Sequence, residues 1–201
     1  MNIKTKVYAV STITNIDVAR LYDEAGFRII TIDLDKTITG QYDLELSIEM
    51  ELLFKRLGEV GFNIALISNA FGSRVDRVRY FAEYISKISG IRCYSFVPAD
   101  VDNKKKPHPE MFVRALQKAN IDSPLKAIHF GDQLRTDVVG AELAGFRVVV
   151  AVKPMGIGDN LVVKLFGRPF IEPLLRRNRA LPNRVRNFPE YLPEEIYQFI
   201  R

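Results

Sequence analysis

Arg28-Ile29-Ile30-Thr31-Ile32-Asp33-Leu34-Asp35-Lys36-Thr37 is the stretch that decides the fold of this 201-residue chain. Its first half is β-branched and lacks the apolar/polar alternation of a half-exposed strand, so it reads as a strand buried on both faces. Its second half turns abruptly polar. The same run of aliphatic residues recurs at 63–67, 126–130 and 147–152, and in the first two of these it also ends in polar residues. Between the runs lie segments of helical period. One covers 16–25 and stops at Gly26; one carries Ile48, Leu52, Leu53 and Leu57 after Ser47, a candidate N-cap, with Gly58 and Gly61 at its end. A third places Val75, Val78, Phe81, Ala82 and Ile85 after Gly72-Ser73, and a fourth places Met111, Phe112, Ala115 and Leu116 after Pro109. Strand and helix alternating through residue 152 predict an α/β fold with a doubly wound, mainly parallel sheet.

In open sheets of this kind ligands collect at the carboxyl ends of the strands. The residues there are Asp33-Leu34-Asp35-Lys36-Thr37, Ser68-Asn69, and Gly131-Asp132-Gln133-Leu134-Arg135-Thr136-Asp137, with Lys106-Pro107 in a basic loop before the fourth helix. Taken singly, each has an ordinary reading: Asx turns for the aspartates, a turn for Ser68-Asn69, a solvated loop for the lysines at 104–106. Taken together they suit phosphoryl transfer. Close carboxylates repel unless a cation lies between them, and hard oxygen ligands are what Mg²⁺ prefers. A transferring phosphoryl group needs a metal, a lysine, a hydroxyl and backbone N–H groups around its oxygens, and a carboxylate can attack phosphorus. His129, inside a strand, reads as a packed core residue, and His108 as a residue at a helix start.

These motifs, in this order, resemble those of the haloacid dehalogenase (HAD) superfamily of phosphatases: the DxDxT motif at Asp33 to Thr37, the serine at Ser68, the lysine at Lys106, and the GDxxxxD motif ending at Asp132 and Asp137. The resemblance implies Asp33 as nucleophile, Asp35 as general acid and then base, and Ser68, Asn69 and Lys106 as phosphate-binding residues. It further implies Mg²⁺ held by Asp33, the Asp35 carbonyl and Asp132, with Asp137 as a further metal ligand or as the group that orients the metal's waters. Lys36 departs from the Asn or Gly common at its position. The 35 positions from Asp33 to Ser68 and the 38 from Ser68 to Lys106 leave no room for a sizeable cap domain. Residues from about Ser11 to Arg179 further resemble HAD subfamily IIIA, the YqeG-like branch that is similar to mitochondrial phosphatidylglycerophosphatase. This implies dephosphorylation of phosphatidylglycerophosphate to phosphatidylglycerol. Two other readings stay open: a phosphatase for nucleic-acid ends or a soluble phosphate ester, and a non-enzymatic interaction module on a phosphatase scaffold.

Hydrophobic residues make up 47% and charged residues 26%, which excludes disordered, collagen-like and coiled-coil chains. The net charge of +5 is unevenly placed. Between Leu161 and Arg186 seven basic residues face one acidic residue, Glu172, so that stretch carries +6 and the remainder −1. With Leu161, Val162, Leu165, Phe166, Phe170, Ile171, Leu174 and Leu175 interleaved, it is compatible with peripheral contact on anionic phospholipid; packing of these apolar residues on the sheet is the rival, and a nucleic-acid polyanion is a further possible partner. We expect an HAD core over 1–155 and a basic, proline-containing extension over 156–201, two short helices broken at Gly167-Arg168-Pro169 and then an arm from Phe188 for docking or oligomer contact. The single Cys93 supports neither a disulfide nor a zinc site, and the longest purely aliphatic run, 148–152, is far short of the roughly 20 residues that span a bilayer. A cytoplasmic protein, with possible attachment to the inner membrane surface, is the expectation.

Overall fold

The computed structural model describes residues 5–155, 172–179 and 188–198. Six strands form one sheet: β1 (Lys6–Val10), β2 (Ile29–Ile32), β3 (Asn63–Ile67), β4 (Cys93–Phe96), β5 (Ala127–Gly131) and β6 (Val148–Val152). Their order is β1-β6-β5-β2-β3-β4, and every neighbouring pair is parallel. The helices are α1 (Val18–Asp23), α2 (Ile48–Val60), α3 (Arg74–Ser89), α4 (Glu110–Lys118), α5 (Val139–Leu143) and α6 (Glu172–Asn178). The chain moves outward from β2 through β3 to β4, then returns to the other side of β2 to lay down β5 and β6. The direction therefore reverses between β2 and β5, and the crevice for a ligand lies at their carboxyl ends.

Side chains alternate along each strand and feed two cores. Ile30, Ile32, Ile64, Leu66, Ile128 and Phe130 pack with α1, α2 and α3, whereas Ile29, Ala65, Ile67, Ala127 and Val149 pack with α4 and α5. Both faces are covered, which is why the strands are apolar at every position rather than at every second one. Ser47 caps α2 as its sequence predicts, its Oγ accepting from the Met50 N–H, and Gly61 ends that helix in the left-handed conformation. Gly58 does not end it. A Cβ there would lie 1.8 Å from the Ser89 carbonyl oxygen, so Gly58 instead lets α2 lie against the end of α3. The segment between Asp33 and Ser68 holds α2, and that between Ser68 and Lys106 holds α3 and β4; neither contains a cap domain.

The C-terminal part is drawn into the fold more than the sequence indicates. Leu192, Ile196 and Tyr197 are buried in the α1–α3 core, the Pro189 carbonyl accepts from the Ser11 N–H, and the Tyr197 hydroxyl accepts from the Asp17 N–H. This is intramolecular packing where the composition pointed to a docking arm. In α6, Arg176 is buried over the Phe188 ring while Leu174 is exposed, and Arg179 pairs with Glu142 at 2.7 Å. Two of the seven tail cations are thus used within the protein. The helix expected near Leu161 to Phe166 and the cations Lys164, Arg168, Arg184 and Arg186 lie outside the described residues.

Candidate active site

The site is built at the point where the sheet changes direction. Asp33 follows β2, Asp132 follows β5, Ser68 follows β3, and Lys106 reaches in from the loop before α4. Asp137 arrives on a single π-helical turn, Leu134–Val138, a distortion that recurs at functional positions. Its Oδ2 accepts from the Gln133 N–H at 3.0 Å. Gly131 lies beneath it: a Cβ there would stand 2.4 Å from the Asp137 carboxyl carbon, so the glycine of the GD pair is what admits this carboxylate.

Asp33, Asp132 and Asp137 are all buried, and one carboxylate oxygen from each lies within 4.8 Å of the other two. The Lys106 ammonium donates to Asp33 Oδ1 and Asp137 Oδ1 at 2.5 Å each and to the Ile67 carbonyl at 2.8 Å, which uses all three of its protons. Burial opposes charge on each group, yet the two flanking carboxylates hold the lysine protonated far above the ordinary lysine range. Burial likewise works against Asp137, but Lys106 and the His129 ring outweigh it and hold that carboxyl down to about 2. Asp33 goes the other way: burial, joined by the repulsion of Asp137 and Asp132, pushes it well above the usual carboxylate range against the pull of Lys106. Three buried carboxylates with one ammonium are short of positive charge.

A divalent cation fits that deficit. Three buried carboxylate oxygens gathered at one point are the all-oxygen set that suits a hard ion. The seven polar residues expected from sequence are all at this end of the sheet. Asp33, Asp35, Ser68, Asn69, Lys106 and Asp137 line one cavity of about 420 Å³, and Asp132 lies beside it in the carboxylate cluster. Asn69 lines the cavity, but its side chain is spent elsewhere: Oδ1 accepts from the Lys106 N–H at 2.7 Å and Nδ2 donates to the Lys106 carbonyl at 3.1 Å. It fixes the lysine's backbone.

Arg74 and Arg77 escaped the reading of the sequence. Arg77 on α3 donates to Asp35 Oδ1 at 2.5 Å, to the Gly40 carbonyl at 2.7 Å and to the Asp43 carbonyl at 2.9 Å, so one guanidinium ties Asp35 and the following loop to a helix. Arg74, Lys105 and Arg135 are exposed around the cavity and Lys36 is buried in its lining, with exposed Phe71 beneath the Lys105 ammonium at 4.3 Å. Arg74 and Arg77 stand one turn apart at the start of α3, just after Ser68-Asn69, and that spacing was the available signal.

A parallel doubly wound sheet with this carboxylate and lysine set at its switch point defines an HAD-type phosphatase scaffold. The model of the mitochondrial PGP phosphatase family matches residues 4–156, and the chain belongs to that family. A curated glyceraldehyde 3-phosphate phosphatase of Pyrococcus abyssi is 31% identical over 98 residues, 47% of this chain and 37% of that protein. Its Pyrococcus furiosus counterpart is 41% identical over 51 residues, 25% and 21%. The chain thus spans well under half the length of these relatives. Among solved structures, an HAD family hydrolase from Deinococcus radiodurans with bound phosphate and sodium aligns at TM-score 0.43 and 17% identity, over 63% of this chain and 81% of that one.

Proposed function

We propose that the protein is a divalent-metal-dependent phosphomonoesterase that works through an aspartyl-phosphate and removes the terminal phosphate of phosphatidylglycerophosphate. The observation that carries this reading is the buried cluster of Asp33, Asp132, Asp137 and Lys106 at the switch point. Asp33, Asp132 and Asp137, with the Asp35 carbonyl, are the groups that would hold Mg²⁺, which would neutralise the carboxylates and the developing charge on the phosphoryl oxygens. A carboxylate oxygen of Asp33 attacks phosphorus, forming the acyl phosphate and breaking the bond to the ester oxygen. That oxygen leaves with a proton from Asp35. Asp35 then takes a proton from water, the water oxygen attacks phosphorus, and inorganic phosphate leaves with Asp33 regenerated. Lys106 and Ser68 hold the phosphoryl oxygens throughout.

The substrate follows from the mouth. Arg74, Lys105 and Arg135, exposed around the cavity, provide positive charge beyond the buried cluster, which favours an ester bearing a second anionic group. The phosphodiester of phosphatidylglycerophosphate is such a group; glyceraldehyde 3-phosphate, named for the archaeal relatives, has none. Among the described residues no cap domain covers the cavity, which suits a bulky lipid. Phosphate release with Mg²⁺ is to be compared for phosphatidylglycerophosphate in mixed micelles, glyceraldehyde 3-phosphate and a 3′-phosphorylated oligonucleotide. The lipid should be preferred by about tenfold or more in kcat/KM, equivalent to about 1.4 kcal/mol. Preference for either other substrate rejects the lipid assignment, and no turnover of any of them rejects the enzymatic one.

A further inference from the structure

His129 stands directly below the carboxylate cluster. It is fully buried on β5, opposite Thr31 of β2 in the sheet register, with the Phe112 ring packed edge-on at 4.9 Å. Its Nδ1 lies 2.9 Å from the Thr31 hydroxyl, and its Nε2, buried and without a hydrogen-bond partner as the site stands, lies 3.5 Å from Asp137 Oδ1, within reach once the site closes on a cation. Thr31 sits two residues before Asp33 and His129 three before Asp132, so the same two strands supply both the cluster and what lies under it.

These distances select a tautomer. Were Nδ1 protonated, Nε2 would turn a lone pair toward the Asp137 carboxylate, and the Thr31 hydroxyl would be left with the Ile128 carbonyl at 3.5 Å, the far limit of a hydrogen bond. With the hydroxyl donating to Nδ1, the Nε2 proton instead faces Asp137 Oδ1. The 2.9 Å contact with the Thr31 hydroxyl is the geometric reason for placing that proton on Nε2.

We infer that Thr31 and His129 form a positioning relay that holds the Asp137 carboxylate at its place in the metal site from below. The inference rests on the proposed reading of Asp137 as a metal-site carboxylate. Asp137 Oδ2 is fixed by the Gln133 N–H, and Oδ1 takes Lys106 from one side. The imidazole approaches that same oxygen from the core, where no solvent can replace it. When a cation draws negative charge from Asp137 and Lys106 turns to phosphate, His129 is the partner that stays. Partners of this kind behind a ligating carboxylate typically govern metal affinity by 10- to 100-fold.

Calorimetric titration of Mg²⁺ into the full chain tests this on wild type, His129→Leu, His129→Gln and Thr31→Val, each first checked for folding by circular dichroism. Gln can present an N–H close to where Nε2 presents one; Leu fills the space without a donor. The relay predicts an Mg²⁺ Kd raised about 10-fold or more in His129→Leu, near wild type in His129→Gln and intermediate in Thr31→Val. It also predicts that the kcat of His129→Leu recovers at high Mg²⁺ while substrate KM stays within about twofold, because no contact to substrate is lost. A folded His129→Leu with wild-type affinity overturns the relay, and so does a His129→Gln as weak as His129→Leu. Should His129→Leu fail to fold, the Thr31→Val and His129→Gln titrations decide: weakening in Thr31→Val alone supports the relay, and wild-type affinity in Thr31→Val overturns it. If wild type itself binds no Mg²⁺, the metal reading fails first and the relay with it, a result distinct from loss in the variants alone.

Discussion

Asp33 carries a charge its surroundings disfavour, and in the proposed mechanism that discomfort suits it to its role. Burial and two neighbouring carboxylates disfavour its ionised form, while the reaction requires that form. Asp33→Asn should therefore abolish phosphate release and at the same time raise the melting temperature of the metal-free protein by about 2–4 °C, the equivalent of about 1 kcal/mol in a chain of this size. The pH dependence has the matching sign. Asp33 is held above its unfolded value, so the folded protein keeps a proton that the unfolded chain has already lost; stability of the metal-free wild type falls as pH rises above about 4 and through the raised value, and Asp33→Asn removes that fall. Asp137 does the reverse, its contribution present above about 4 and lost as pH drops toward about 2. Denaturation of both proteins across the pH range, without and with Mg²⁺, measures each part. A second residue-scale feature is Lys36, whose φ of 66° lies in the left-handed region. Asn and Gly tolerate that region best, which accounts for their being common at this position in the related phosphatases; here the cost is borne by a lysine buried in the cavity lining.

At the scale of elements, α3 does more than cover the sheet. Arg77 on its first turns holds Asp35 and two carbonyls of the loop after it, and Arg77→Ala frees all three. A misplaced acid can cost as much as about 100-fold in rate, so steady-state kinetics should show kcat lowered by about 10- to 100-fold, with Arg77→Lys recovering only part because it lacks the guanidinium fork. Gly58 sets the α2 and α3 packing. In an isolated helix Gly→Ala gains about 1 kcal/mol, but here the new methyl would meet a backbone carbonyl at 1.8 Å, and such overpacking costs about 1–3 kcal/mol. Gly58→Ala should therefore lower the melting temperature. These two cases mark where the sequence was readable and where it was not. Ser47 was identifiable as a cap because its hydrogen bond spans three residues, and Asp33, Asp35, Ser68, Lys106, Asp132 and Asp137 because strand ends place them locally. Gly58, Arg77 and His129 act across more than 30 residues of sequence or through the sheet; nothing local distinguishes Gly58 or His129, and for Arg77 the one-turn spacing from Arg74 is the local signal. β1 was missed as a strand because Lys6 and Tyr8 break its aliphatic run and only pairing with β6 makes it one.

For the whole molecule, the striking asymmetry of charge in the sequence is partly absorbed by the fold. Arg176 is buried and Arg179 is paired, so among the described tail residues Arg177 is the exposed cation. Of the described residues past 187, Leu192, Ile196 and Tyr197 belong to the core, almost wholly buried against α1 and its neighbours. Ending the chain near residue 156 would expose the surface they cover, and each buried aliphatic side chain is worth about 1.5–3 kcal/mol. Such a truncated chain should melt well below the full one, so lipid binding is better probed by charge changes such as Arg177→Glu than by truncation. No described helix is long and apolar enough to cross a membrane. The claim on which the rest depends is that Asp33 carries the phosphoryl group. Acid-quenched samples of the full chain, taken in the first turnovers with phosphatidylglycerophosphate and Mg²⁺ and analysed by peptide mass spectrometry, test it most directly. One added phosphoryl group on Asp33 in the wild type, absent from Asp33→Asn, is the predicted result; phosphate release by Asp33→Asn at the wild-type rate would contradict it.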